Sequence, residues 1–186
     1  MRTIPLSQNY VALVDDEDYD RVSRFKWSAA VYRRKDGSAW NVYAIRSVYP
    51  KDRKRTERLH RFVLGLTDPK VLIDHIDHDG LNCQRSNLRI CTGAQNGRNQ
   101  RLCVDSTTRL KGVYFRKRNG TFEAMIRVNG KPKWLGQFDS KYDAARMYDA
   151  KAIELFGDFA LTNEMLGLLP KRPTGITVQL ELQLQA

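Results

Sequence analysis

The chain has 186 residues, enough for one or two compact domains, and its content of 41 % hydrophobic and 28 % charged residues excludes wholesale disorder. The 32 Lys and Arg against 21 Asp and Glu give a formal net charge of +11, which favours a polyanionic partner such as nucleic acid. No apolar run reaches the roughly 18 residues that a membrane span requires. The three cysteines form no C-x-x-C pair, so neither a disulfide framework nor a standard zinc site is supported. We therefore expect a cytoplasmic protein with no membrane partner.

Residues 1–58 are predicted to form a small β-rich unit. An apolar run at 10–14 precedes an acidic cluster at 15–18, which we expect to open a helix that ends near Phe25. Acidic side chains in a first helical turn complement the helix dipole, and this interpretation is favoured over a metal site. Strands are predicted at 27–32 and 40–48, with a turn at 35–38 between them.

Residues 59–103 are predicted to form a second unit, preceded by a charge run at 51–55. That run is typical of a solvated loop and equally of a phosphate contact, and both interpretations stay open. Residues 59–65 have helical periodicity, and short strands are predicted at 71–76 and 88–91. Thr92 and Gln95 match a capping box, so a helix should begin at about Gly93.

A polar linker at 104–109 is predicted to lead into a third unit at 110–163. Strand-like runs at 110–116, 121–128 and 131–138 are followed by Ser140, which should cap a helix that ends near Phe156. Asn129-Gly130 is a strong hairpin signal between the second and third runs. We expect a three-stranded antiparallel sheet packed on one helix.

The tail at 164–186 contains strictly alternating apolar and polar residues from Ile176 to Leu184. This alternation predicts a half-buried strand. The strand would either add to a sheet edge or pair with a second copy of the chain, and the sequence does not choose between them.

The residues that suggest chemistry surround the strands predicted at 71–76 and 88–91. Asp74 and His75 lie in the first strand, Asn87 precedes the second, and Asn96 follows it on the predicted helix. Hydrolysis of a phosphodiester needs an activated water and a cation near the phosphate. Histidine is the natural base near neutral pH, and Asp and Asn oxygens suit magnesium or manganese better than zinc.

Four ordered motifs resemble the HNH endonucleases, most closely the phage-type homing enzymes: Leu59-His60-Arg61, Asp74-His75-Ile76, Ser86-Asn87-Leu88-Arg89 and Gln95-Asn96-Gly97-Arg98-Asn99. The resemblance covers roughly 59–101 and implies a ββα-metal core. It implies that His75 is the general base and that Asn87 orients it. Asp74 and Asn96 would bind Mg²⁺ or Mn²⁺, although the motif carries His at the position of Asn96. We interpret His60 as a packing or supporting residue.

Residues 110–163 resemble a second family, the DNA-binding domain of the plant APETALA and ethylene-response transcription factors. The match is strongest at Trp134-Leu135-Gly136-Gln137-Phe138 and at Ala144-Ala145-Arg146-Met147-Tyr148-Asp149. The resemblance implies that the sheet lies in the major groove of double-stranded DNA. The candidate contacts are Lys111, Arg116, Arg118, Arg127, Lys133 and Trp134. Tyr114 and Phe122 depart from the plant pattern, so no recognition sequence is transferred.

The sequence thus predicts an α+β protein with a β-rich N-terminal unit, a nuclease core and a DNA-reading domain. The predicted function is site-directed, metal-dependent cleavage of DNA. The main alternative is a non-catalytic DNA-binding regulator that keeps the HNH fold, and a second is an RNA binder that uses the same basic sheet.

Overall fold

A computed structural model of the protein describes residues 1–50, 53–100, 102 and 106–171. The chain divides into two compact units, Met1–Gly97 and Arg98–Ala186. Both combine small antiparallel sheets with few helices, which confirms the predicted α+β class. Within the described residues, no helix has the length and apolar character to cross a membrane. The finer division predicted from the sequence stays a prediction, and the alternating segment at 176–184 lies outside the described residues.

The first unit is built from short elements in three antiparallel sheets. The first sheet pairs β1 with β2, and the third pairs β6 with β7. The second has three strands, in which β4 lies between β3 and β5. In chain order the elements are β1 (Arg2–Pro5), β2 (Val11–Val14), α1 (Asp16–Ser23), β3 (Ser28–Arg33), β4 (Ala39–Val48), β5 (Arg55–Arg58), α2 (Leu59–Val63), β6 (Leu72–His75), β7 (Leu88–Cys91) and α3 (Gly93–Arg98).

One hydrophobic core joins these elements. Trp27 lies at its centre with 2 % of its surface exposed, and its indole N–H donates to the carbonyl of Val22 at 3.0 Å. The core draws its buried side chains from the N-terminal strands, from α1 and β4, and from the region of the HNH motifs: Ile4, Ala12, Val14, Val22, Ala44, Leu59, Val63, Cys83 and Leu88. Residues on both sides of position 58, where β5 runs directly into α2, therefore share one core.

Polar contacts also fasten the N-terminal elements to the segment before β7. The backbone of Leu13 exchanges hydrogen bonds with Leu81 and Cys83, each at 2.9 Å. The buried carboxylate of Asp18 accepts two hydrogen bonds from Arg85, at 2.8 and 2.9 Å, and one from Arg21 at 2.5 Å. These bonds hold α1 against the segment that leads into β7.

The second unit has a three-stranded antiparallel sheet and one long helix. Its elements are β8 (Val113–Arg116), β9 (Thr121–Val128), β10 (Lys131–Phe138) and α4 (Lys141–Phe156), with sheet order β10-β9-β8. Ala124 and Ile126 are buried and belong to hydrophobic clusters that also contain the alanines of α4. The Ser140 hydroxyl accepts hydrogen bonds from the amides of Tyr142 and Asp143, as expected of an N-cap.

The segment before β8 is not a strand, although the sequence predicted one from residue 110. Gly112 has φ +69°, and a Cβ at this position would lie 1.9 Å from the Tyr148 ring of α4. The fully buried Asn163 holds the same segment, because its side chain accepts from the Lys111 amide at 2.6 Å and donates to Asp149 at 2.8 Å. Backbone geometry at Gly112 thus delays the strand to Val113.

Candidate active site

Strands β6 and β7 carry the predicted catalytic residues side by side. In their antiparallel register Asp74 lies opposite Arg89, and His75 lies opposite Leu88. The predicted capping box is confirmed: the Gln95 amide donates to the Thr92 hydroxyl at 3.2 Å, and the Thr92 amide donates to Gln95 Oε1 at 2.8 Å. Helix α3 therefore begins immediately after β7, so that two strands and a helix follow one another in the chain.

Asp74 is buried in an ion pair with its cross-strand neighbour. It is 7 % exposed, and Arg89 donates from Nε and Nη2 to its Oδ2 at 2.9 and 2.7 Å. A buried carboxylate needs a paired charge and directed hydrogen bonds to offset the loss of water. Arg89, which the sequence identified only as part of a motif, supplies both and fixes the orientation of the carboxylate.

His75 is buried beside Asp74 at the end of β6, with 7 % of its surface exposed. Burial lowers the pKa of its imidazole below the ordinary value of 6.5. Three nearby carboxylates oppose this shift without cancelling it: Asp77, Asp74 and Asp79. The imidazole is therefore neutral at neutral pH, which is the state in which histidine accepts a proton.

Asn87 holds the turn that follows His75. Its Oδ1 accepts from the Asp77 amide at 3.0 Å, while its Nδ2 donates to Asp77 Oδ1 and to the Asn82 carbonyl, both at 2.9 Å. Its own carbonyl accepts from the Ile76 amide at 3.0 Å. These bonds act on the backbone next to His75, and the predicted orientation of the imidazole itself stays a prediction. Asp77, which belongs to none of the four motifs, is the partner of Asn87.

Asn96 lies in the first turn of α3 and is partly exposed. Its amide donates to the Thr92 carbonyl at 2.9 Å, which fixes its place one turn after β7. In the described part of the chain, no group of three or more His, Cys, Asp or Glu side chains is arranged to hold a metal ion. One carboxylate and one amide form a smaller set, and the donor chemistry of Asp74 and Asn96 fits a hard divalent cation.

Two further rings pack against His75. The ring centroid of His60 lies 4.9 Å from that of His75, and the Tyr43 ring lies 5.9 Å from it. Burial is the largest cause that lowers the pKa of His60 to about 3, with smaller effects of His75, Arg58 and Arg61. The packing interpretation of His60 agrees with its 5 % exposure. Tyr43 lies outside the motifs, and the sequence offered no signal for it.

In the second unit, the register divides the predicted DNA contacts between two sides of the sheet. Directly opposite residues of an antiparallel pair point to the same side. Arg127 lies opposite Pro132 and Trp134 opposite Met125, so both lie on the side away from the buried Ala124 and Ile126. We call this side the outer face. Arg116 also lies there and forms an ion pair with Glu123 at 2.5 Å.

The other three predicted contacts are placed differently. Lys133 lies opposite the buried Ile126 and so points to the helix side of the sheet. The Lys111 ammonium donates to the carbonyls of Arg98 and Gln100, at 3.3 and 2.9 Å, and burial lowers its pKa to about 8. Arg118 is exposed in the turn between β8 and β9. The structure thus places Arg116, Arg127 and Trp134 on the same face of the sheet, with Arg116 at the opposite end of β9 from Arg127. DNA contact by any of the six stays a prediction.

Comparison with known proteins identifies the family. No family model matches the chain. A protein of Acanthamoeba polyphaga mimivirus, named as an uncharacterized HNH endonuclease, is 30 % identical over 160 residues, which are 83 % of this chain and 75 % of the relative. The chain belongs to the HNH endonuclease family. The resemblance predicted from four short motifs is confirmed at this level, and the similarity extends well beyond residues 59–101.

Proposed function

We propose that the protein is a site-directed DNA endonuclease of the homing type, which hydrolyses phosphodiester bonds with a divalent metal ion. The observation that carries this proposal is the buried His75 beside Asp74 at the end of β6, where burial lowers the pKa of the imidazole. The strand–strand–helix order of β6, β7 and α3 supports a ββα-metal core. Members of this family are named as nucleases, and duplex DNA is the substrate that the basic chain favours.

In this proposal His75 accepts the proton of the attacking water. Asn87 and Asp77 hold the turn that follows His75 and would thereby restrict the backbone that carries the imidazole. Asp74 and Asn96 would hold Mg²⁺ or Mn²⁺, which when bound stabilises negative charge on the phosphate and the leaving oxygen. Arg89 keeps the Asp74 carboxylate in one orientation.

We further propose that the second unit reads DNA with the outer face of its sheet. Arg127 and Trp134 lie there together, and Trp134 is 60 % exposed although it is a large aromatic residue. Such residues supply hydrogen bonds to base edges and apolar contacts to bases and sugars. Lys111, Arg118 and Lys133 would contribute phosphate contacts around this surface. The APETALA-like resemblance favours the same placement in the major groove.

The decisive experiment measures cleavage of varied duplex DNA with and without magnesium, and maps the cut ends. His75→Ala should lower the cleavage rate by roughly 10²-fold or more, while duplex binding changes little. His78→Asn is the matched control, because His78 has φ +64°, a conformation that Asn tolerates. Cleavage by His75→Ala at the wild-type rate would contradict the assignment.

The alternatives give different results in the same assay. A regulator that keeps only the HNH fold would bind duplex DNA and leave it intact in both magnesium and manganese. If the protein is an RNA binder, competing RNA should displace duplex DNA from it. For the metal, Asp74→Ala and Asn96→Ala should each reduce cleavage, with partial recovery at higher metal concentration. Full activity in excess chelator would contradict the metal assignment.

A further inference from the structure

Three rings from three different elements meet at the base. Tyr43 of β4, His60 of α2 and His75 of β6 have centroid separations of 4.9 Å for the two histidines, and of 5.7 and 5.9 Å from Tyr43 to His60 and His75. The two histidine rings are nearly perpendicular, at 81°. The Tyr43–His60 contact is also edge-to-face, at 72°, whereas the Tyr43–His75 contact is tilted at 52°. Ring contacts of this kind are favourable and directional, so each ring restricts the rotation of the others.

Tyr43 is itself held on two further sides. Its hydroxyl accepts a hydrogen bond from Asn41 Nδ2 at 2.8 Å. A Cβ at Gly80 would lie 2.8 Å from Tyr43 Cδ1 and 2.4 Å from the Val42 carbonyl, so the turn after His75 packs its bare backbone directly against β4. The absence of a side chain at Gly80 is what permits this close approach. These contacts therefore restrict the movement of the Tyr43 ring relative to His75.

From these contacts we propose that Tyr43 and His60 form a cradle that positions the His75 imidazole for proton abstraction. The proposal rests on the nuclease function proposed above. Both are positioning residues, because they act through His75 and not on the substrate. Misplacement of a reacting group by about 1 Å can cost roughly 10²-fold in rate.

The test of the cradle is to remove the ring of Tyr43 and, separately, only its hydroxyl. Tyr43→Leu should lower the single-turnover cleavage rate at saturating DNA by roughly 10-fold to 10²-fold, with the Kd for duplex DNA within about 2-fold of wild type. Tyr43→Phe keeps the ring and should stay within about 3-fold of the wild-type rate. This rescue by the conservative variant is not expected if Tyr43 acts as a proton donor.

Tyr32→Leu is the matched control, because the Tyr32 ring packs on Tyr43 at 5.8 Å and is one ring further from His75. It removes the same side chain from the neighbouring strand and should leave the single-turnover rate within about 3-fold of wild type. Equal losses in Tyr32→Leu and Tyr43→Leu would overturn the proposal, since they would indicate a general weakening of the sheet.

A second measurement does not depend on cleavage. In histidine-labelled protein, the ring signals of His75 should shift and broaden in Tyr43→Leu, while those of His78 stay in place. The wild-type protein should show nuclear Overhauser effects between the rings of Tyr43 and His75. Their absence would overturn the cradle even if Tyr43→Leu failed to fold. If the wild-type protein shows these effects but never cuts DNA, the proposed nuclease function is refuted, while the ring geometry still stands.

Discussion

Replacing Arg127 with Ala should weaken binding to the preferred DNA sequence far more than binding to unrelated duplex. Arg127 lies on the outer face of the second sheet, next to the strand that carries Trp134. Its Nη1 donates to the Gly130 carbonyl at 2.8 Å, which uses one of the five N–H donors of the guanidinium. This hairpin bond holds the side chain over the outer face.

The expected magnitude follows from the type of contact. A bidentate bond from Arg to a base edge contributes about 1–3 kcal/mol of discrimination, which is roughly 5-fold to 150-fold in Kd. Loss of the exposed bond to Gly130 should cost the fold about 1 kcal/mol at most. The variant should therefore stay folded, and the change in Kd reports on DNA contact.

Lys133→Ala is the matched comparison, because it removes one positive charge from the adjacent strand on the helix side of the sheet. Facing away from Arg127, Lys133 is expected to meet only phosphates. Its loss should weaken both duplexes equally and flatten the log–log salt dependence by about 0.9. Titrations of both duplexes at several salt concentrations measure these effects. Equal, sequence-independent weakening by both substitutions would refute base reading by Arg127.

Two further predictions concern the scaffold of each unit. Gly112→Ala should destabilise the second unit by about 2 kcal/mol or more, because the new Cβ meets the Tyr148 ring and φ is positive; hydrogen exchange should rise in β9 and not in β2. Burial alone would raise the pKa of Asp18, but hydrogen bonds from Arg85 and Arg21 outweigh it and hold the pKa below 3.8. The stability lost in Asp18→Asn should therefore be about 2–3 kcal/mol at pH 6 and shrink as pH falls below about 4, as measured by urea unfolding; a constant difference at all pH values would contradict the ion pair.

Elements with strong local signals could be predicted from the sequence. The hairpin turn at Asn129-Gly130 and the cap at Ser140 define β9, β10 and α4 with the observed bounds. Strand β5 could not be predicted, because its four residues, Arg55–Arg58, are polar and show no hydrophobic alternation. It forms because β4 offers an unpaired edge, with Ile45 opposite Arg58 and Val48 opposite Arg55. Pairing of this kind depends on tertiary structure.

The same distinction applies to the site. Asp74 and His75 could be predicted as site residues because they are adjacent and belong to an ordered set of motifs. Tyr43 precedes His75 by 32 residues and belongs to no motif, so only the fold brings its ring against the His75 ring. Asp77 belongs to none of the four motifs, and its hydrogen bonds to Asn87 depend on the conformation of the turn.

The shared core of the first unit has a consequence for chimeric nucleases. A fragment cut to the motif region would expose Leu59, Val63 and Leu88, which the N-terminal strands and α1 now help to cover. Exposing three such side chains costs about 5–9 kcal/mol, comparable to the whole stability of a small domain. A fragment that keeps this core whole therefore spans residues 1–97. An engineer who joins the proposed nuclease core to a new DNA-reading domain should therefore retain residues 1–58 with that core.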